Sequence, residues 1–137
     1  MKELVIVDDN PMMRAFLSKL FSTDYKVATL PGVMEAIQYL EEGHSPDLII
    51  SDFKMPHLDG KEFLSHIQDQ FKHIPVVFLS GDNKGQDRIH CLKNGAKDFI
   101  LKPFNPKELK LKIQHLLDSK YEIKINPQNP AAHGIQA

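Results

Sequence analysis

The sequence predicts an α/β fold built on one five-stranded parallel sheet. Short apolar runs alternate five times with segments of helical period, which is the pattern of an open sheet joined by right-handed crossover helices. Four of the runs are continuously apolar, which favours strands that are covered on both faces. With 137 residues, the chain has the size of one ordinary domain. We therefore expect a single doubly wound sheet with helices on its two faces.

The predicted strands are four strongly apolar runs and one weaker run. In chain order they are residues 4–7, 25–30, 48–50, 75–79 and 99–101, of which the second is the weaker. Four helical stripes lie between or after them, and a thinner fifth stripe covers residues 89–95. The members of the four stripes are Met13, Phe16, Leu17, Leu20 and Phe21; Val33, Ala36, Ile37 and Leu40; Phe63, Leu64, Ile67 and Phe71; and Leu109, Ile113, Leu116 and Leu117.

The helix boundaries have their own sequence signals. Asn10 and Asn105 are each followed by proline, the arrangement of an N-cap residue with proline at the first helical position. Glu108, three residues after Asn105, strengthens the second of these starts. Gly43 and Gly95 stand where helices are expected to end. These signals divide the chain at the same places as the apolar periodicity does.

Polar side chains follow four of the predicted strands at the point where each strand ends. Asp8 and Asp9 follow the first strand, Asp52 the third, Ser80 the fourth and Lys102 the fifth. Functional residues of open parallel sheets lie at the carboxyl ends of the strands, so we expect these side chains to converge. Three carboxylates in one place would raise one another's pKa unless a cation separates them. Such an oxygen-rich group suits Mg²⁺.

The same group of residues predicts phosphoryl chemistry. With Mg²⁺ bound, a carboxylate can attack a phosphoryl donor as a nucleophile. Lys102 would neutralise charge on the phosphoryl oxygens, and Ser80 would donate a hydrogen bond to one of them. The alternatives without chemistry are purely structural: Asp8, Asp9 and Asn10 would only cap the first helix, and Ser80 would only form a turn.

Residues from about 2 to 119 resemble the receiver domain of bacterial response regulators. Four motifs carry the resemblance, each after its own strand: Val7-Asp8-Asp9-Asn10; Ser51-Asp52-Phe53-Lys54-Met55-Pro56 with Asp59-Gly60; Leu79-Ser80-Gly81; and Phe99-Ile100-Leu101-Lys102-Pro103-Phe104. The resemblance implies a flavodoxin-like (βα)5 domain over residues 1–119 with strand order 2-1-3-4-5. It also implies a function in two-component phosphorelay signalling, with a sensor histidine kinase or phosphotransfer protein as the donor. Such a domain catalyses only its own phosphorylation and dephosphorylation.

The resemblance also implies a role for each site residue. Asp52 would be the phosphoacceptor and would hold Mg²⁺ or Mn²⁺ together with Asp8, Asp9 and the backbone carbonyl of Lys54. Lys102 would bind the phosphoryl oxygens.

Three further expectations follow from the resemblance. Ser80 and Phe99 would form the switch pair, in which the hydroxyl moves toward the phosphate and the ring swings inward. Lys54 and Asp82 occupy the two variable positions that affect phosphate lifetime. The Lys102-Pro103 peptide bond is often cis in the family.

Three other functions compete with this interpretation. A dehalogenase-type phosphatase would need a second aspartate two positions after the nucleophile, where this chain has Lys54. A phosphorylation-independent interaction module on the same fold would be expected to have lost part of the acidic set or the lysine. A flavodoxin-like cofactor binder would need a glycine- and hydroxyl-rich phosphate loop after the first strand, where Asp8 and Asp9 would repel a phosphate.

Charge is segregated along the chain although the net charge is only −1. Residues 1–83 contain seven basic and thirteen acidic residues, whereas residues 84–124 contain ten and five. The basic stretch coincides with the predicted fourth helix, fifth strand and fifth helix, and it either covers solvated helix faces or forms a basic docking surface. The resemblance implies that this face meets an effector or a second copy of the chain. The small net charge predicts no direct binding of nucleic acid.

The chain is expected to act in the cytoplasm and away from membranes. Its first apolar run is too short for a secretory signal, and no apolar run approaches the ~20 residues of a membrane span. A lone cysteine, Cys91, has no partner for an internal disulfide. Residues 120–137 are expected to form a flexible tail or the start of a linker to an output domain.

Overall fold

The computed structural model describes residues 1–81 and 85–118, in which five strands alternate with five helices. Asp82 and the tail predicted at residues 120–137 lie outside the described residues. The elements in chain order are β1 (Glu3–Val7), α1 (Pro11–Phe21), β2 (Lys26–Leu30), α2 (Val33–Glu41), β3 (Leu48–Asp52), α3 (Gly60–Gln70), β4 (Val76–Ser80), α4 (Gly85–Lys93), β5 (Asp98–Leu101) and α5 (Pro106–Leu117).

The strands form one parallel sheet in the order β2-β1-β3-β4-β5, which confirms the predicted strand order and flavodoxin-like fold. β1 lies between β2 and β3, and β5 pairs with β4 alone among the described strands. Every residue of β4 is buried, as is every residue of β3 except Asp52, which is half-buried. The continuous apolar runs therefore mark strands that are covered on both faces.

Successive strand residues face opposite sides of the sheet. Val5, Ile49 and Phe78 belong to one core cluster together with buried side chains of α2, α3 and α4. Their strand neighbours Leu4 and Ile6 are fully buried but lie outside that cluster. The sheet thus has a core on each side, and the carboxyl ends of its five parallel strands lie along one border.

The predicted helix boundaries are confirmed. The side chain of Asn10 accepts hydrogen bonds from two backbone N–H groups of α1, and Asn105 does the same for α5. Gly43 and Gly95 have φ values of 101° and 104°, in the left-handed region that glycine adopts without steric cost. Both α2 and α4 therefore end where a residue with a Cβ atom would be strained.

The helix α1 buries a narrower stripe than the sequence suggested. Leu17 and Phe21, one turn apart, are buried, but Phe16 is 45% exposed. Consecutive helical residues are about 100° apart around the axis, so Phe16 points away from the row that Leu17 and Phe21 occupy. Its ring centroid lies 6.4 Å from that of Phe104.

Among residues 1–81 and 85–118, no helix combines the length and apolarity needed to cross a bilayer.

Candidate functional site

Three carboxylates converge at the carboxyl edge of the sheet. Asp8 and Asp9 directly follow β1, and Asp52 is the last residue of the neighbouring strand β3. One oxygen from each of the three side chains lies within 4.8 Å of the other two. Asp8 is buried, Asp52 is half-buried and Asp9 is exposed. The predicted acidic cluster therefore forms and opens to solvent on the side of Asp9.

Asp8 has one satisfied and one unsatisfied carboxylate oxygen. Its Oδ1 accepts a hydrogen bond of 2.9 Å from the backbone N–H of Asn10. Its Oδ2 is buried and has no hydrogen-bond partner among the described residues. Burial raises the pKa of Asp8, the Asn10 N–H opposes that rise, and the nearby Asp52 carboxylate adds to it. A buried carboxylate oxygen without a partner is costly, and a cation would remove that cost.

Asp52 contacts the ammonium group that the sequence placed at the end of the fifth strand. Lys102 Nζ donates to Asp52 Oδ1 at 3.0 Å, and the backbone N–H of Phe53 donates to the same oxygen at 3.0 Å. Both side chains are partly shielded from solvent, with 25% of Lys102 and 12% of Asp52 exposed. Burial raises the pKa of Asp52, while Lys102 and the Phe53 N–H hold that rise in check. The Lys102-Pro103 peptide bond is cis.

The donor set suits a hard divalent cation. Three carboxylates offer oxygen ligands, and one of them has a buried atom that no described residue contacts by a hydrogen bond. Oxygen-only sites favour Mg²⁺ or Mn²⁺ over softer ions. Among the residues that the structure describes, this is the one cluster of three or more potential metal ligands. The residues present therefore fit the cation that the sequence predicted.

The loop after β3 is fixed by backbone contacts next to the site. The N–H of Gly60 donates to the carbonyl of Phe53 at 2.7 Å. Asp59 caps α3 through a reciprocal pair of bonds with Glu62. Asp59-Gly60 was noted in the sequence as part of a motif, but this capping box was missed, although its signal is an acidic residue three positions after the cap.

Ser80 and Phe99 lie on the neighbouring strands β4 and β5. Ser80 is the last residue of β4 and is 1% exposed. Phe99 is also 1% exposed, and its ring centroid lies 5.1 Å from that of Phe53 and 6.5 Å from that of Phe78. The aromatic ring of Phe99 is therefore turned inward, in edge contact with the residue that follows Asp52.

Comparison with known proteins decides the family. Residues 4–114 match the family described as response regulator receiver domain. The chain belongs to this family. It is a receiver domain of two-component signalling.

Receiver domains occur in two kinds of relative. The chain is 40% identical over 120 residues to the response regulator Rre1 of Synechocystis sp., a match that covers 83% of this chain and 51% of Rre1. It is 34% identical over 119 residues to the sensor histidine kinase TmoS of Ectopseudomonas mendocina, covering 85% of this chain and 12% of that kinase. The receiver thus spans about half of one relative and about an eighth of the other.

Solved receiver structures share the fold. The chemotaxis response regulator CheY4 of Vibrio cholerae superposes with a TM-score of 0.76 at 30% identity, covering 85% of this chain and 99% of that protein. The family is generally not one of classical enzymes.

One contact at the receiver's acidic site was not predicted. The guanidinium of Arg14, in α1, donates to the backbone carbonyl of Asp8 at 2.7 Å. It fixes the peptide group that joins Asp8 to Asp9 and places a positive charge near the two carboxylates. Nothing in the sequence distinguishes Arg14 from an exposed helical arginine, because the contact depends on how the first turn of α1 is oriented at the end of β1.

Proposed function

We propose that this receiver domain accepts a phosphoryl group on Asp52 from the phosphohistidine of a sensor histidine kinase or phosphotransfer protein. The contact between Asp52 and Lys102, set within a cluster of three carboxylates, carries this proposal. An aspartate in contact with an ammonium group can receive a phosphoryl group whose added charge is neutralised locally. Phosphorylation would then shift the receiver between two arrangements of its partner-binding surface.

The transfer step exchanges one phosphorus bond for another. A carboxylate oxygen of Asp52 attacks the phosphorus, the bond between phosphorus and the donor imidazole nitrogen breaks, and the nitrogen keeps the electron pair and takes a proton from water. The product is a mixed anhydride on Asp52. Hydrolysis of the anhydride returns the carboxylate and releases inorganic phosphate, so the domain catalyses only its own modification and its loss.

The surrounding residues divide the charge between them. Asp8, Asp9, Asp52 and the Lys54 backbone carbonyl would hold Mg²⁺ or Mn²⁺, which would offset the charge of the phosphoryl oxygens. Lys102 stays close to Asp52 and would move its hydrogen bond from the carboxylate to a phosphoryl oxygen.

Ser80 and Phe99 would transmit the modification. Ser80 would donate a hydrogen bond to a phosphoryl oxygen, and the inward position of the Phe99 ring would be favoured in the modified state. Lys54 and Asp82 would tune the access of water to the anhydride.

The exposed apolar side chains Ile89 and Leu101 on α4 and β5 support the proposal that these elements belong to a surface for an effector or a second copy. The cytoplasmic location stays a prediction from the sequence.

Intact-mass spectrometry tests the proposal. The protein is incubated with a small-molecule acyl phosphate and Mg²⁺, and a gain of one phosphoryl mass that is lost in alkali is expected for the wild type. Asp52→Ala should gain none, while Asp69→Ala, which removes an exposed carboxylate, should match the wild type. A stable phosphate, or one retained by Asp52→Ala, would overturn the assignment of Asp52.

The same experiment separates a second candidate. A phosphorylation-independent interaction module would leave the wild type unmodified with Mg²⁺ at saturating concentration. The buried oxygen of Asp8, which has no hydrogen-bond partner among the described residues, favours the phosphoryl-accepting function, because an interaction module has no need to keep such a costly group.

A further inference from the structure

The strand β5 ends the described sheet and leaves one edge without a neighbouring strand. On such an edge, alternate peptide groups lack a partner in the sheet. Phe99 has both of its backbone groups bonded to side chains: its N–H donates to Asp98 Oδ1 at 2.8 Å, and its carbonyl accepts from Arg88 Nη1 at 2.6 Å. Side chains therefore satisfy both the backbone N–H and the carbonyl of Phe99, the residue whose ring is turned into the core.

Arg88 makes this contact from the helix α4. The bond joins residues eleven positions apart, and it runs from a guanidinium group to a backbone oxygen. Hydrogen bonds from a charged donor are shorter and stronger than those between neutral groups. Arg88 thus ties α4 to β5 at the carbonyl of Phe99.

The helix α4 has few other anchors. Of its nine residues, Cys91 alone is fully buried, whereas α2 buries three side chains and α3 buries Phe63, Leu64 and Ile67. Asp87, next to Arg88, pairs with Lys61 of α3 at 3.0 Å. Polar contacts at two consecutive residues, one to α3 and one to β5, therefore hold α4 near its start.

We propose that Arg88 is a positioning residue of the switch: its bond to the Phe99 carbonyl holds α4 and β5 in the arrangement in which the Phe99 ring is buried. Loss of the bond lets the edge of β5 move away from α4, and the ring then spends less time against the rings of Phe53 and Phe78. The link to signalling rests on the proposed function, whereas the link between Arg88 and the ring does not. By linkage, a ligand that favours the buried ring binds more weakly once Arg88 is lost.

The fluorine spectrum of the ring tests the link directly. Fluorophenylalanine replaces all eight phenylalanines, and the Phe99→Leu variant identifies the Phe99 signal. In the phosphoryl-free protein, Arg88→Ala should shift or broaden that signal, and Arg88→Lys, which keeps a charged donor, should restore part of the wild-type position. Lys93→Ala serves as the matched control, since it removes a positive charge from an exposed position of the same helix.

A second arm measures the link to phosphorylation with beryllium fluoride and Mg²⁺ as the phosphoryl mimic. The mimic should bind Arg88→Ala roughly fivefold more weakly than wild type, as expected for loss of one intramolecular hydrogen bond of ordinary net strength, and Lys93→Ala should bind it normally. An unchanged Phe99 signal in Arg88→Ala, or an equal change in Lys93→Ala, would overturn the proposal. A changed signal in a protein that binds no mimic would keep the tether and reject the phosphoryl-accepting function instead.

Discussion

Lys102 and Asp52 are fifty residues apart in the chain, yet Lys102 Nζ lies 3.0 Å from Asp52 Oδ1. The contact arises because β3 and β5 flank β4 in a parallel sheet, so that the residues at or just after their ends share one edge. Lys102 lowers the cost of the negative charge on Asp52 before any phosphoryl group arrives.

Replacing Lys102 by methionine tests the role of its ammonium group. Lys102→Met should slow the phosphorylation of Asp52 roughly 100- to 1000-fold, since loss of one preorganised donor at a site of developing charge has effects of about that size. The time course of phosphoryl gain by intact mass measures the rate. Lys97→Met removes an exposed lysine just before β5 and should change the rate less than twofold, in line with a distant surface charge. Equal slowing by both variants would contradict a specific role for Lys102.

The second prediction concerns the pH dependence that Asp8 imposes on the metal-free protein. Burial raises its pKa in the fold above the ordinary 3.8, so the folded state binds a proton that the unfolded chain has already released. Stability is therefore lost as the pH rises from about 3.8 through the raised pKa. At pH 7 with a chelator present, the free energy of unfolding of Asp8→Asn should exceed that of the wild type by on the order of 1 kcal/mol. This gain should vanish near pH 4.

Urea denaturation at several pH values measures this difference, and Asp69→Asn is the exposed control. Mg²⁺ should stabilise the wild type more than Asp8→Asn, because a ligand that binds only the folded state raises the free energy of unfolding. Destabilisation by Asp8→Asn of the same size at pH 4 and pH 7 would show that the ionised form of Asp8 carries no cost.

The third prediction tests the close approach of two backbone segments beside Asp52. A Cβ atom at Gly60 would lie 2.4 Å from Phe53 Cδ1 and 3.1 Å from the Phe53 carbonyl oxygen. Gly60→Ala should therefore destabilise the protein by about 2 kcal/mol, the cost of forced overpacking. Gly85→Ala has nothing within 4 Å of the added atom and should be neutral or stabilising by up to about 1 kcal/mol. Thermal unfolding of both variants decides the matter, and a neutral Gly60→Ala would contradict the packing described for Phe53.

The fourth prediction concerns the thiol of Cys91. The side chain is fully buried, and burial raises its pKa to about 11. At pH 8 the folded protein should react with iodoacetamide on the order of 100-fold more slowly than the same protein in urea, since the thiolate is the reactive form. Mass spectrometry of quenched samples gives both rates. Rapid labelling of the folded protein would show that α4 opens far more often than its contacts indicate.

The sheet, the helix boundaries and the acidic cluster were predictable because each has a local signal. A continuous apolar run marks a strand covered on both faces. Asn10 before proline marks a helix start, whatever the tertiary surroundings of that helix. The convergence of Asp8, Asp52 and Lys102 required one further step, namely that parallel strands end at a common edge.

The contacts that were missed depend on the three-dimensional approach of separate segments. Arg14 reaches the Asp8 carbonyl and Arg88 reaches the Phe99 carbonyl, yet periodicity describes both arginines only as helical surface residues. The exposure of Phe16 was missed for a similar reason, since a helical pattern gives the direction of the apolar face but not how much of that face a neighbour covers.

The chain places Phe53 directly after Asp52, and the ring of Phe53 lies 5.1 Å from that of Phe99, centroid to centroid. A single peptide bond and one aromatic contact therefore separate the acidic edge from the aromatic side chain on the outer strand. Close-packed rings pass displacement to their neighbours rather than absorb it. Movement of the backbone at residue 52 would consequently reach the far side of the sheet without any loop having to refold.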